Sequence, residues 1–211
     1  MTLGWSTARH VVVRHRGLIG KFAFELVIVF VGVTAAFALE NVREREAEAH
    51  YRTEMVAALR PTLDDTIRHN AAFDHEVTGK LAAFDAAIAA GKEPALPFFR
   101  ETNSERPPIR AWDGLVASGA AKAIPPALFF RLALFYTRQE SFGERYVRYN
   151  DFTEQRVLAA GNDPVVFYDP ATHALKPEFS AYVDRLRDLQ VFGKQITQQA
   201  IELRDALAKI E

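Results

Sequence analysis

FAFELVIVFVGVTAAFAL, residues 22–39, carries one charge, Glu25, and then none from Leu26 until Glu40. A helix needs about 20 residues to cross the hydrocarbon core of a bilayer, with about 17 as the short limit. These 18 residues, flanked by Ile19 and Gly20, are enough. Val, Ile, Phe, Leu and Ala, with Gly32 and Thr34, are residues of membrane helices. A core helix of a soluble protein keeps a polar stripe, and this stretch has none after Glu25. It therefore reads as a single transmembrane helix over 22–39, with the lipid bilayer as its partner.

The flanks set the orientation. Arg9, Arg14, Arg16 and Lys21 precede the stretch without any acid, whereas Glu40, Glu44, Glu46, Glu48 and Glu54 follow it. Excess Lys and Arg stays cytoplasmic. Residues 1–21 are thus expected to form a short basic cytoplasmic arm, and 40–211 to lie in the periplasm of a bacterial inner-membrane protein. Glu25 stands four residues after Lys21, on the same helix face, which fits an interfacial ion pair. Arg14, Arg16, Lys21 and Glu25 form the expected membrane-interface set. Ala36-Phe37-Ala38 has the form of a signal-peptidase site. The apolar stretch is longer than a signal core of about 7–15 residues, so the anchor reading is preferred to cleavage after Ala38.

Beyond the membrane the pattern stays helical. Residues 40–60 lack Gly and Pro and are rich in Glu, Arg and Ala, good helix formers with charges at pairing distance. Pro61 either kinks this helix or opens a new one. Leu59, Leu63, Ile67, Asn70, Val77, Leu81, Phe84 and Ile88 then recur at steps of three and four, with one longer gap, until Gly91 closes the helix near Ala90. Residues 91–108, with four prolines, read as a loop that returns the chain beside that helix, with Phe98 and Phe99 pinning it. A short helix is expected over 109–117, ended by Ser118-Gly119. Pro125-Pro126 opens the next, whose seam is Leu128, Leu132, Phe135, Gln139, Phe142, Tyr146, Tyr149 and Thr153, ending near Gly161. Residues 165–168 form either a strand-like edge or an apolar plug. Pro177 opens the last helix, with Leu186, Leu189, Gly193, Ile196, Ala200, Leu203, Leu207 and Ile210 facing inward. The fold class is all-α: one N-terminal transmembrane helix followed by an antiparallel helical bundle.

Chemistry is sparse. The 211 residues hold 26 Lys+Arg against 27 Asp+Glu and no Cys. Such a balance argues against nucleic acid, which needs a basic excess. No cysteine means no disulfide, thiolate metal site or Cys nucleophile. No serine sits in a G-x-S-x-G elbow, and neither glycine-rich phosphate motif occurs. Glu46, His50 and Glu54 share one helix face, as do Asp65 and His69 with Glu76 nearby. Without H-E-x-x-H or paired E-x-x-H motifs they read as solvated faces. The expectation is no catalytic residue, no cofactor and no metal. Arg138, Arg145, Arg148 and Arg156 accompany Tyr136, Tyr146 and Tyr149 on one helix. Arg beside aromatics suits anion or partner binding, and Arg138, Arg145, Tyr146 and Tyr149 are the candidate partner surface. The interleaved Glu140, Glu144 and Glu154 favour ion pairing within the helix.

The run from Glu25 through Gly32 to Leu63, with Asn41 and Glu44, resembles the start of a group of uncharacterised bacterial single-pass membrane proteins. So does the patch Trp112-Asp113-Gly114-Leu115 with Ser118-Gly119. Val42, Met55 and Pro61 depart from the group's pattern. The resemblance implies a basic N-terminus, one membrane helix and a helical exterior, and lends no activity.

The expected function is that of a non-enzymatic accessory or interaction subunit of a membrane assembly, acting through a protein partner or by self-association of helices. The alternative is a sensory-type ligand-binding bundle. The 21 residues before the stretch are fewer than the about 50 of a small domain, so such a sensor would signal through a separate partner. An enzyme with an unfamiliar helical site ranks last.

Overall fold

A computed structural model describes residues 7–100, 111–117, 119, 123–161 and 163–210, the side chains of 7–23, 111 and 164 excepted. The chain divides into two compact units, Met1–Tyr51 and Arg52–Glu211. The described residues are helical and contain no strand, so the protein is all-α.

Helix α1 runs from Thr7 to Ala89 and contributes to both units. In the first unit every described side chain from Phe24 to His50 is exposed. Among the described residues, α1 is the one helix long and apolar enough to cross a membrane. The Thr34 hydroxyl donates to the Phe30 carbonyl at 2.7 Å, which satisfies its proton inside its own helix. Residues 40–89 belong to one uninterrupted helix, with Pro61 inside it. Proline leaves the carbonyl four residues back without its donor. That residue, Ala57, is exposed like Pro61 itself, so water can serve the carbonyl. The helix stops where Gly91 takes φ 69°. Lys92 N–H then bonds the Ala87 carbonyl and Gly91 N–H the Ile88 carbonyl, a Schellman closure.

The second unit packs the C-terminal part of α1 with two further long helices. Helix α2 is Ala111–Ala117. Helix α3 is Pro126–Phe152, with proline in its first turn, and continues as a π-helical turn, Thr153–Leu158. Helix α4 is the single turn Pro164–Phe167, and α5 is Pro177–Leu207. The seam expected on α5 is buried from Leu186 through Leu207, and Ile210 beyond its end is half-buried. On α3 the expected positions are buried at Leu128, Leu132 and Phe135, half-buried at Gln139, Phe142 and Tyr146, and buried again at Tyr149. Phe73, 6% exposed, fills the gap in the α1 pattern after Asn70. Its ring meets Phe142 and Phe99 edge-on and lies beside Gly193.

Chain direction follows from the cross-contacts. Arg131–Glu202, Phe142–Phe192, Tyr149–Tyr182 and Arg156–Glu178 make α3 and α5 antiparallel. Asp64–Arg204 and Asp85–Arg187 make α1 and α5 antiparallel too. Thr66–Gln139 and Phe73–Phe142 show that α1 and α3 run the same way. The loop after Gly91 therefore carries the chain back before α3 begins. It is held by Lys80 Nζ donating to the Phe98 carbonyl at 2.7 Å and by the Tyr168 hydroxyl donating to the Pro94 carbonyl at 2.8 Å. Between α2 and α3 the Ala123 carbonyl accepts from the Arg52 Nε–H at 3.1 Å.

Residues 165–168 are not a strand. They form the end of α4 and one antiparallel bridge, Tyr168 to Leu175. Phe167 and Tyr168 are each 1% exposed, because their rings plug the end of the core, where Phe167 meets Phe179 edge-on.

Candidate functional site

The positions that feed the site lie on α3 and α5 near the returning loop. Tyr149 and Tyr182 face each other across the two helices, their rings stacked at 5.0 Å. Their hydroxyls are 2.8 Å apart. The Thr153 hydroxyl donates to the Tyr149 carbonyl at 2.9 Å and lies 3.0 Å from the Tyr182 hydroxyl. Each hydroxyl has one proton to give, so the direction of the chain follows. Phe99 N–H donates to Tyr149, Tyr149 to Tyr182, Tyr182 to Thr153, and Thr153 to the backbone. No buried side-chain polar atom among the described residues is left without a partner. Burial pushes the Tyr149 and Tyr182 phenols above the ordinary tyrosine value. Both therefore stay neutral at physiological pH and supply hydrogen bonds rather than charge.

On the solvent side of this pair lies a groove of about 330 Å³, lined by Arg145, Arg148, Tyr149, Arg185, Asp188 and Leu189. Tyr149 and Leu189, both buried, make its floor. The four charged residues around it are exposed. Arg145 places its guanidinium 5.1 Å from the Phe192 ring centroid, a cation–π contact. Arg148 reaches Glu144 at 3.9 Å, near the limit of an ion pair. Arg145 and Arg185 have no carboxylate within ion-pair distance among the described residues. Elsewhere on the same surfaces arginines are closely paired. Arg156 is bidentate to Glu178, both contacts at 3.0 Å, and Arg187 holds Asp184 and Asp85. Among the described residues the groove thus holds two guanidinium groups without a carboxylate at ion-pair distance, Arg145 and Arg185, beside Arg148, which Glu144 pairs loosely, and the Asp188 carboxylate.

The expected partner surface is divided by this geometry. Arg145 and Tyr149 both line the groove. Tyr149 is only 1% exposed, so it belongs to the core and cannot be a surface contact. Its seam position points it at α5. Tyr146 is half-buried against Phe142, Phe99 and Tyr149. Arg138 lies farther along α3, bonded to Gln199 at 3.2 Å. Ion pairing within the helix, expected for the α3 arginines, is seen for Arg148 with Glu144, whereas Arg156 pairs across helices and Glu154 pairs with Arg100. Arg185 and Asp188 had no local signal, since they join the site only through the α3–α5 register.

Of the membrane-interface set, Glu25 is exposed, while the side chains of Arg14, Arg16 and Lys21 lie outside the described residues. Among the described residues, no three His, Asp or Glu side chains converge as metal ligands. His69 instead has Nδ1 2.7 Å from the Asp65 carbonyl, and the Asp65 carboxylate pairs with Arg68. No known protein family, curated protein or solved structure matches the chain.

Proposed function

We propose that this chain is a single-pass protein of the bacterial inner membrane whose periplasmic helical unit serves, without catalysis of its own, as an interaction or accessory subunit of a membrane assembly. The observation that carries the reading is the uniform exposure of the apolar part of α1. Ten large apolar side chains between Phe24 and Leu39 are exposed, Leu26 at 74% and Phe30 at 71% among them. Leaving one such side chain in water costs about 1.5–3 kcal/mol. Ten exceed the about 5–15 kcal/mol by which a domain is stable. Lipid covers this surface and lets the helix satisfy its own backbone. The basic residues before the stretch and the acids after it support a cytoplasmic N-terminus. The long helices, with ordered side-chain networks and few titratable clusters, suit binding better than chemistry.

Alkaline carbonate washing of vesicles tests the anchor, protease added to spheroplasts tests the orientation, and affinity purification in mild detergent tests the partner. The reading expects retention in the membrane, cleavage from outside, and a co-purifying protein or a stable self-assembly. Release by carbonate, full protection from protease, or a solitary monomer each overturns the corresponding part. A second reading, ligand binding by Arg52–Glu211 with the signal passed to a separate partner, is favoured by the unneutralised arginines between α3 and α5.

A further inference from the structure

We infer that the groove between α3 and α5 is a binding site for a small dianion, a ligand carrying two carboxylates or one phosphate. Three guanidinium groups, Arg145 and Arg148 from one helix and Arg185 from the other, line it together with Asp188. Arg148 is shared with Glu144, so among the described residues the two guanidinium groups of the groove without a carboxylate at ion-pair distance are Arg145 and Arg185, one for each charge of a dianion. Guanidinium offers paired N–H donors in the plane that carboxylate and phosphate oxygens accept. Arginines left without carboxylate partners have those donors free, unlike Arg156 and Arg187 nearby. The volume of about 330 Å³ lies at the small end of ligand pockets, enough for a small organic acid or phosphate ester. A rigid wall favours such a site. Arg145 is steadied by the Phe192 ring, and the floor at Tyr149 is tied through Tyr182, Thr153 and Phe99 N–H to both helices and the loop. The site lies wholly within Arg52–Glu211, so it stands whether or not α1 crosses a membrane.

The same chemistry fits a free dianion and an anionic lipid headgroup, and the experiment separates them. Full-length protein in a nonionic detergent is titrated calorimetrically with succinate, citrate and inorganic phosphate at constant ionic strength. A parallel series measures binding of the same protein to nanodiscs with and without phosphatidic acid, whose phosphate monoester can carry two charges. Saturable binding of at least one soluble anion is expected. Arg185→Gln and Arg145→Gln should each weaken it roughly tenfold or more, the effect of losing a charge-assisted contact. Asp188→Asn should tighten it severalfold, which a purely structural role would not do. Arg68→Gln, an exposed arginine of α1 already paired with Asp65, should leave it unchanged. All four positions are exposed, and far-ultraviolet dichroism verifies that each variant folds. Binding confined to phosphatidic acid discs yet sensitive to Arg185→Gln would assign the site to a headgroup and overturn the soluble-ligand assignment. No saturable binding to any probe, or weakening by Arg68→Gln equal to that by Arg185→Gln, overturns the site altogether. Neither result bears on the membrane anchor, which the carbonate wash tests separately.

Discussion

Replacing Tyr182 by Phe removes the central hydroxyl of the chain that runs from Phe99 N–H through Tyr149 and Tyr182 to Thr153. Two groups lose a partner. Tyr149 keeps a buried O–H with no acceptor, and Thr153 loses an incoming donor but still gives its own proton to the Tyr149 carbonyl. An orphaned buried donor costs about 1–3 kcal/mol, partly offset because the deleted hydroxyl no longer has to be desolvated. A net loss of about 1–2 kcal/mol follows. At roughly 2–4 °C per kcal/mol for a chain of this size, Tm should fall by a few degrees. Tyr149→Phe should cost a similar amount, because Phe99 N–H then loses its acceptor. The double variant discriminates. Once Tyr149 has no hydroxyl, deleting that of Tyr182 orphans no further proton. The double variant should therefore cost less than the two single variants together, by about 0.5 kcal/mol or more. The assay is urea denaturation of the full chain in nonionic detergent, followed by far-ultraviolet dichroism, with constant m-values verifying that the mechanism is unchanged. Additive losses, or single losses below about 0.5 kcal/mol, would refute the directed chain of hydroxyls.

The same tyrosines predict the alkaline limit. Tyr149, Tyr168 and Tyr182 are shifted upward by burial, Tyr168 to about 12 from an ordinary 10.0. Above pH 10 the unfolded chain loses phenolic protons that the folded chain keeps, so stability is complete below pH 10 and declines as pH rises towards 12. Phenolate absorbance appearing together with loss of helix would verify it, whereas full titration near pH 10 with the fold intact would contradict it. At the acid end, burial raises the Asp74 carboxyl, but hydrogen bonds from Gln190 and Lys194, with the Lys194 charge, bring it below its ordinary 3.8. Its contribution should persist above pH 3.8, fade as pH falls below it, and vanish in Asp74→Asn, which acid denaturation of the two proteins compares. Gly193→Ala should raise Tm by a few degrees. The new methyl would sit 3.6 Å from the Phe73 ring and 3.7 Å from the Phe142 ring, ordinary contact, while alanine gains about 1 kcal/mol of helix propensity. A lower Tm would show the α1–α5 approach to be closer than described.

Helix content, helix ends and inward faces were legible because they rest on short-range physics. Gly91 and Gly161 do adopt positive φ, and Pro126 and Pro177 do open helices, as the cost of a Cβ at positive φ and of a missing N–H within the helix requires. Repeats of three and four marked the buried positions of α5 from Leu186 to Leu207 but missed Phe179, Tyr182 and Val183, and Ile88, expected on the inward face of α1, is exposed. The apolar segment was equally plain, since length and lack of charge are properties of the sequence itself. Passage through Pro61 was not readable, because it depends on whether the freed carbonyl meets water. The plug at residues 165–168 was left between strand and core for a related reason: four apolar residues have no period.

Pairing, by contrast, was decided only in three dimensions. Nothing local says that α1 and α3 run the same way, because that rests on where the loop after Gly91 is pinned by Lys80, Tyr149 and Tyr168. Tyr149, grouped by spacing with Arg145 on a surface, turns inward, because its seam position meets Tyr182 of α5. Arg185 and Asp188 reach the groove from a distant stretch of chain through the α3–α5 register alone. A seam specifies that a face is buried, but side-chain shapes on remote helices choose what covers it. Charge at a site is the sum over those neighbours.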